Sequence, residues 1–105
     1  MSNQFKVGQH KGNSRVWFQG GRLTEASFLV GAPYNVNIME DAIVLSLDSD
    51  GKRKVSKKPS KNGPVPVIDL NSKPISKFFG DATQCTVEFG TGYIIIKPVT
   101  AEIQQ

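Results

Sequence analysis

The chain has 105 residues, a net charge of +4 and a pI near 9.4, with 38% hydrophobic and 21% charged residues. These values describe one ordinary domain, and no stretch approaches the ~20 apolar residues of a membrane-spanning helix. One cysteine and one histidine exclude an intrachain disulfide and a Cys/His metal site.

Residues 1–13 are polar, contain Gly8 and Gly12, and are expected to form a flexible arm with at most a short edge strand at Phe5-Lys6-Val7. Arg15-Val16-Trp17-Phe18 is a β-prone run that Gly20-Gly21 ends. Leu23 to Leu29 predicts a short helix, stopped by Gly31-Ala32-Pro33. Tyr34, Val36 and Ile38 alternate with Asn35 and Asn37, as in a half-buried strand. Met39 to Ala42 allows a tight reversal into a strand at Ile43 to Leu47, and Asp48-Ser49-Asp50-Gly51 is a turn.

A basic connector, 48–65, follows. Between Lys52 and Lys61 it carries Lys52, Arg53, Lys54, Lys57, Lys58 and Lys61. Such a run is either a solvated linker or a set of phosphate contacts. A thinner basic set, Lys6, His10, Lys11, Arg15 and Arg22, lies near the start. Val65 to Asp69 reads as an edge strand because of its prolines. Ser72 and Pro74 open a helix whose Ile75, Phe78 and Phe79 share a face, and Gly80-Asp81 ends it. Cys85, Val87 and Phe89 alternate along a strand, Gly90-Thr91-Gly92 forms a hairpin loop, and Tyr93 to Ile96 returns until Pro98 stops it.

The two halves repeat one another. A shift of 51 positions, without gaps, places Val16 on Val67, Arg22 on Lys73, Phe28 on Phe79, Val36 on Val87 and Ile43-Val44-Leu45 on Ile94-Ile95-Ile96. The repeats run from about 15 to 47 and from 66 to 98. Each is too small to bury a core alone, so the two are expected to complete each other. The fold class is therefore mostly β with two short helices. The predicted interior includes Val16, Phe18, Leu23 and Phe28, then Val36, Ile38 and Val44, and in the second half Ile68, Phe78, Phe79, Val87, Phe89 and Ile95.

Catalytic chemistry finds little support. His10 and Cys85 would have to form any Cys–His pair, but one lies in the arm and the other in a core-facing strand position. No glycine loop of Walker type is present, and Glu40-Asp41 and Asp48/Asp50 sit at turns, where such residues serve the backbone. No enzyme activity, cofactor or metal is expected. Recognition by charge and apolar contact remains. Arg15 and Trp17 share a strand face, where an arginine can meet a phosphate while the ring packs or stacks. The simpler arrangement places Trp17 in the core with Arg15 as a solvated flank.

Residues 15–47 resemble the swapped-hairpin DNA-binding unit of AbrB-type proteins, the group that includes MazE antitoxins and SymE-type toxins. The resemblance rests on Arg15-Val16-Trp17-Phe18, Arg22-Leu23-Thr24-Glu25-Ala26-Ser27-Phe28, Gly31-Ala32-Pro33-Tyr34-Asn35-Val36-Asn37-Ile38 and Ile43-Val44-Leu45. It covers about a third of the chain. The second copy departs from it: Ala82 stands opposite Gly31, and Pro66 and Lys73 opposite Arg15 and Arg22. In that family two chains interleave hairpins into one barrel-like core. The resemblance thus implies an AbrB-like barrel formed by an internal pseudo-dimer. It also implies duplex DNA binding through Arg15, Arg22 and Lys73, with Lys52, Arg53, Lys54, Lys57 and Lys58 adding sequence-independent phosphate contacts.

The expected function is that of a small cytoplasmic DNA-binding regulator of phage or mobile-element type, monomeric as a pseudo-dimer or pairing further, with no membrane association. The alternatives are a protein-interaction module, such as an inhibitor or accessory subunit, and a SymE-like RNA-binding toxin.

Overall fold

The computed structural model describes residues 2–10 and 12–99. The chain is mostly β with two short helices. The first half comprises β1 (Ser2–Lys6), β2 (Gly8–His10), β3 (Asn13–Gln19), α1 (Gly21–Glu25), β4 (Pro33–Ile38) and β5 (Ile43–Leu47). The second comprises β6 (Arg53–Lys54), β7 (Ser56–Lys58), β8 (Val65–Leu70), α2 (Lys73–Phe79), β9 (Gln84–Gly90) and β10 (Tyr93–Val99). Six strands form one sheet in the order β1-β9-β10-β5-β4-β6, and four form another in the order β2-β3-β8-β7. Their inner faces share one core, with Phe28, Leu23, Ile43, Leu45, Ile68, Leu70, Ile94 and Ile96 fully buried.

Both strand orders read the same from either end once the halves are exchanged. The first strand of each half adds to the hairpin of the other: β1 lies on β9, and β6 lies on β4. The registers repeat as well. In the centre of the large sheet Ile94 pairs with Leu45, Ile95 with Val44 and Ile96 with Ile43. A 51-residue shift maps the middle pair onto itself and exchanges its neighbours. At the sheet edges Lys6 faces Gln84 and Lys54 faces Pro33, while Phe5 faces Cys85 and Arg53 faces Tyr34. The partners differ by 51 and the edge residues by 48 (54 minus 6). The backbone N–H of Val7 donates to Thr83 O at 2.9 Å, and that of Val55 to Ala32 O at 3.0 Å, which obeys the same rule.

The small sheet requires a third offset. Gly8 pairs with Arg15 and Ser56 with Val67; Val16 pairs with Leu70 and Phe18 with Ile68. These pairs interchange only if β8 is 52 residues from β3, so that Val16 answers Ile68 and Phe18 answers Leu70. All four are buried. The gapless 51-residue alignment is therefore corrected by one residue on this strand. Side chains alternate between faces, and placing Val16 on Val67 would set an inward residue on an outward one. The loop 59–64 is four residues longer than 11–12, which absorbs the step from 48 to 52.

Three further expectations change. Within the arm, Ser2–Lys6 and Gly8–His10 are strands, and within the connector Arg53–Lys54 and Ser56–Lys58 form the matching pair, where a flexible arm and a basic connector were expected; each pair crosses between the sheets at one buried valine, Val7 or Val55. The sheets do not close into a barrel, because at these corners the chain itself passes over and no lateral ladder joins β1 to β2 or β6 to β7. The inward set on the central strands is Ile43, Leu45, Ile94 and Ile96, with Val44 and Ile95 on the half-buried outer face. The hairpin register decides this: Val36 faces Leu45 and Ile38 faces Ile43, and cross-strand partners share a face. Of the remaining predicted interior, Val36, Phe78 and Phe89 are half-buried and Ile38 is exposed at the hairpin tip.

Local elements follow the sequence in part: β8, expected at an edge because of its prolines, is an inner strand between β3 and β7. Ser72 precedes α2 with Pro74 in its first turn, and Gly80 ends it at φ 55°. The first helix is shorter than the predicted 23–29, since Ser27 at φ 72° turns the chain out of it. Pro98 does not stop β10. Its strand is paired with β5 only over Tyr93–Ile96, so beyond Ile96 one side carries no ladder to interrupt. Gly90 lies opposite Tyr93, and a Cβ there would overlap the tyrosine ring. Gly90→Ala is expected to destabilise the fold by about 1–2 kcal/mol. Adding Tyr93→Ala should restore part of that loss, a coupling of at least ~0.5 kcal/mol in a double-mutant cycle. Strict additivity in urea unfolding would show that the ring does not rest on the glycine.

Candidate nucleic-acid interface

Inward Val16 and Phe18 force Arg15, Trp17 and Gln19 onto the outer face of the small sheet. Trp17 is thus not core: it keeps 39% exposure. It is nonetheless held on both sides. The Arg15 guanidinium carbon lies 4.7 Å from the Trp17 ring centroid, and Trp17 Nε1 donates to Gln19 Oε1 at 2.9 Å. Arg15 Nε and Nη2 donate to the two oxygens of Asp69, each at 2.9 Å, and Asn71 Nδ2 donates to Asp69 Oδ1 at 3.2 Å. Hydrogen bonding to Asp69 raises the Arg15 pKa above its ordinary value. Trp17 and Asp69 are direct cross-strand partners at the centre of the sheet, where the two halves meet.

Cations flank this centre. Lys6 lines a shallow cleft with Gly8, Arg15 and Trp17. Its counterpart in the second half is Lys54, at the opposite corner. Lys58 pairs with Val65 and so shares a face with Val67, the partner of Gln19. Sequence reasoning did not place Lys6 in the site. The available signal was Phe5-Lys6-Val7 against Arg53-Lys54-Val55, a match visible only at a 48-residue shift.

The connector residues are ordered along two edges. Arg53 and Lys54 extend the large sheet beyond β4, and Lys57 and Lys58 extend the small sheet beyond β8. Lys52, Arg53, Lys54, Lys57 and Lys58 are all exposed, and among the described residues none forms an ion pair. Burial raises the Tyr34 pKa, and the facing charge of Arg53 opposes that rise.

Arg22 and Lys73 stand elsewhere. Arg22 lies 5.3 Å from the Phe5 ring and 6.0 Å from Phe89, over the edge of a cluster in which Phe5, Phe18 and Phe89 meet at 5.3–6.1 Å. Lys73 is the exposed first residue of α2. The 52-residue offset that governs the adjoining strands pairs Arg22 with Pro74 rather than with Lys73. The structure therefore brings Arg15 beside Lys6, not beside Arg22.

The remaining chemistry is sparse. Cys85 is fully buried, and desolvation pushes its thiol up to about 11, which keeps it protonated near neutrality. Among the described residues no three His, Cys, Asp or Glu side chains cluster as a metal site would need. Lys11 and residues 100–105 lie outside the described residues, as does the side chain of His10. Among the described residues no helix is long and apolar enough to cross a membrane. No protein-family model, curated protein or solved structure matches this chain.

Proposed function

We propose that this chain is a non-enzymatic nucleic-acid-binding protein, an internal pseudo-dimer of the swapped-hairpin kind that grips duplex DNA through its basic connector and acts as a regulator. One observation carries the reading. Four cations, Arg53, Lys54, Lys57 and Lys58, are held in extended strands on two sheet edges, and Lys52 lies in the bend just before them; all five are exposed and without ion-pair partners among the described residues. A solvated linker has no reason to be fixed in this way, whereas a phosphate backbone is met best by cations already spaced along a ridge. The interchange of the halves, with β1 on β9 and β6 on β4, supports the pseudo-dimer.

Binding should fall steeply with salt. Five phosphate contacts predict a loss of about two to three powers of ten between 50 and 200 mM, through counterion release. Gel shift on a random-sequence duplex measures it. The variant with all five residues changed to alanine should flatten the slope equally for every sequence. No binding at 50 mM, or a slope near zero for the unmodified protein, overturns the reading.

One observation favours a second reading, a protein partner. Ile38 and Met39 are exposed at 43% and 56% beside Pro74, Lys77 and Phe78, in a cleft between the β4–β5 tip and α2. Stoichiometric capture of a protein with no nucleic acid bound would favour it.

A further inference from the structure

The outer face of the small sheet has a feature that phosphate contact does not use: the indole of Trp17. A β-strand position opposite an aspartate can be filled by any polar residue, yet here it carries the largest apolar side chain, left 39% exposed. The ring is not loose. Arg15 covers it from one side, Asp69 and Asn71 fix Arg15, and Gln19 binds the indole N–H. The orientation of the ring is thus set before any ligand arrives, which lowers the entropy lost on binding. The polar N–H is already satisfied within the protein, so what remains available is the apolar surface of the ring.

We propose that Trp17 is a stacking platform for an unpaired nucleobase, and that the small sheet takes single-stranded nucleic acid across β3 and β8. This rests on the reading of the protein as a nucleic-acid binder. It goes beyond that reading in naming the state of the strand and the residue that selects it. In a duplex each base already stacks on its neighbours, and a ring at the centre of a sheet meets only sugar and phosphate. An unpaired base offers a free π face, and stacking on an aromatic side chain is tolerant of sequence. Charge completes the fit. Lys6 lines the same cleft as Trp17, and Lys58 lies on the far strand. The four strands span about 14 Å between edges, at roughly 4.8 Å per strand. A backbone crossing the sheet therefore meets cations on either side of the stacked base.

Trp17 is the only tryptophan, so its fluorescence reports this site alone. The full chain is titrated with four 12-nucleotide probes carrying a distant label: oligo(dT), oligo(U), an abasic deoxyribose-phosphate strand and a 12-bp duplex. Label anisotropy reports binding, and Trp17 emission reports stacking. Oligo(dT) or oligo(U) should quench Trp17 on binding, whereas the abasic strand and the duplex should bind with little change in emission. The stronger quencher identifies DNA or RNA as the preferred strand. Trp17→Ala should weaken oligo(dT) binding about tenfold or more and leave abasic binding unchanged, while Trp17→Phe keeps most of the affinity. The exposed position leaves the fold intact in both variants, which far-UV circular dichroism checks. Oligo(dT) that binds without altering Trp17 emission, or an abasic strand that quenches equally, overturns the platform and leaves the connector reading standing. No anisotropy change with any probe overturns both.

Discussion

Phe18→Ala is expected to cost about 3–5 kcal/mol of stability, a large share of the ~5–15 kcal/mol that a domain commonly possesses. Phe18 is 2% exposed and points inward from β3. It makes edge-to-face contacts with Phe5 on β1 at 5.3 Å and with Phe89 on β9 at 5.7 Å. Those rings belong to both halves, and β1 is an edge strand held to the large sheet along β9 alone. Truncation removes the transfer energy of the ring, leaves a cavity, and withdraws two aromatic contacts worth about 0.5–1.5 kcal/mol each beyond their area. The urea midpoint reads the total loss, and amide exchange should show β1 losing protection first. A loss below about 1 kcal/mol would mean that the halves are not joined through this cluster. Phe5→Leu, which conserves much of the volume at a half-buried position, should cost less.

The same cluster shows what the sequence could and could not reveal. Runs with clear alternation or capping were legible: Tyr34-Asn35-Val36-Asn37-Ile38 became β4, Ile43 to Leu47 became β5, and Ser72-Lys73-Pro74 opened α2. The strands that complete the sheets were not. β1, β2, β6 and β7 each have one free edge, and each segment containing a pair of them buries a single valine in the core, so neither carries a periodic apolar signal. β1 and β6 take their hydrogen bonds from strands that are not their chain neighbours, as when Phe5 faces Cys85, while β2 and β7 pair with the strands that follow them. Ile43-Val44-Leu45 and Ile94-Ile95-Ile96 are apolar on both faces, so alternation could not choose the inward side; the length of the hairpin turn did. Trp17 was misplaced for the opposite reason. Its apolar bulk suggested core, but the parity set by Val16 and Phe18 placed it outside. The repeat was visible as a shift of 51, while the four-residue difference in the loops and the one-residue step on β8 required the register.

Val55→Asp is expected to cost at least about 3 kcal/mol, because it places a carboxylate without a partner at a site only 3% exposed. Val55 is the single point at which the basic connector enters the core. Its N–H donates to Ala32 O at 3.0 Å, and its carbonyl accepts from Gly31 N–H at 2.8 Å. With that anchor lost, β6 and β7 keep only short edge ladders of two and three residues. Exchange of the Gly31 and Val55 amides should accelerate. Nucleic-acid affinity should fall although every cation is still present, because the ridge must then be ordered during binding at about 0.5–1.5 kcal/mol per side chain. Val7→Asp provides the internal comparison. Val7 occupies the matching corner, 8% exposed and bonded to Thr83 O as Val55 is to Ala32 O. It should lose comparable stability in urea, whereas the affinity loss should be smaller, because the five connector cations stay anchored. Tolerance of Val55→Asp within about 0.5 kcal/mol would make the connector peripheral and remove the physical ground for a preformed cationic ridge. Equal stability losses with unequal affinity losses would separate the two duties of the repeated corner: closing the core in both halves, and presenting charge in the second.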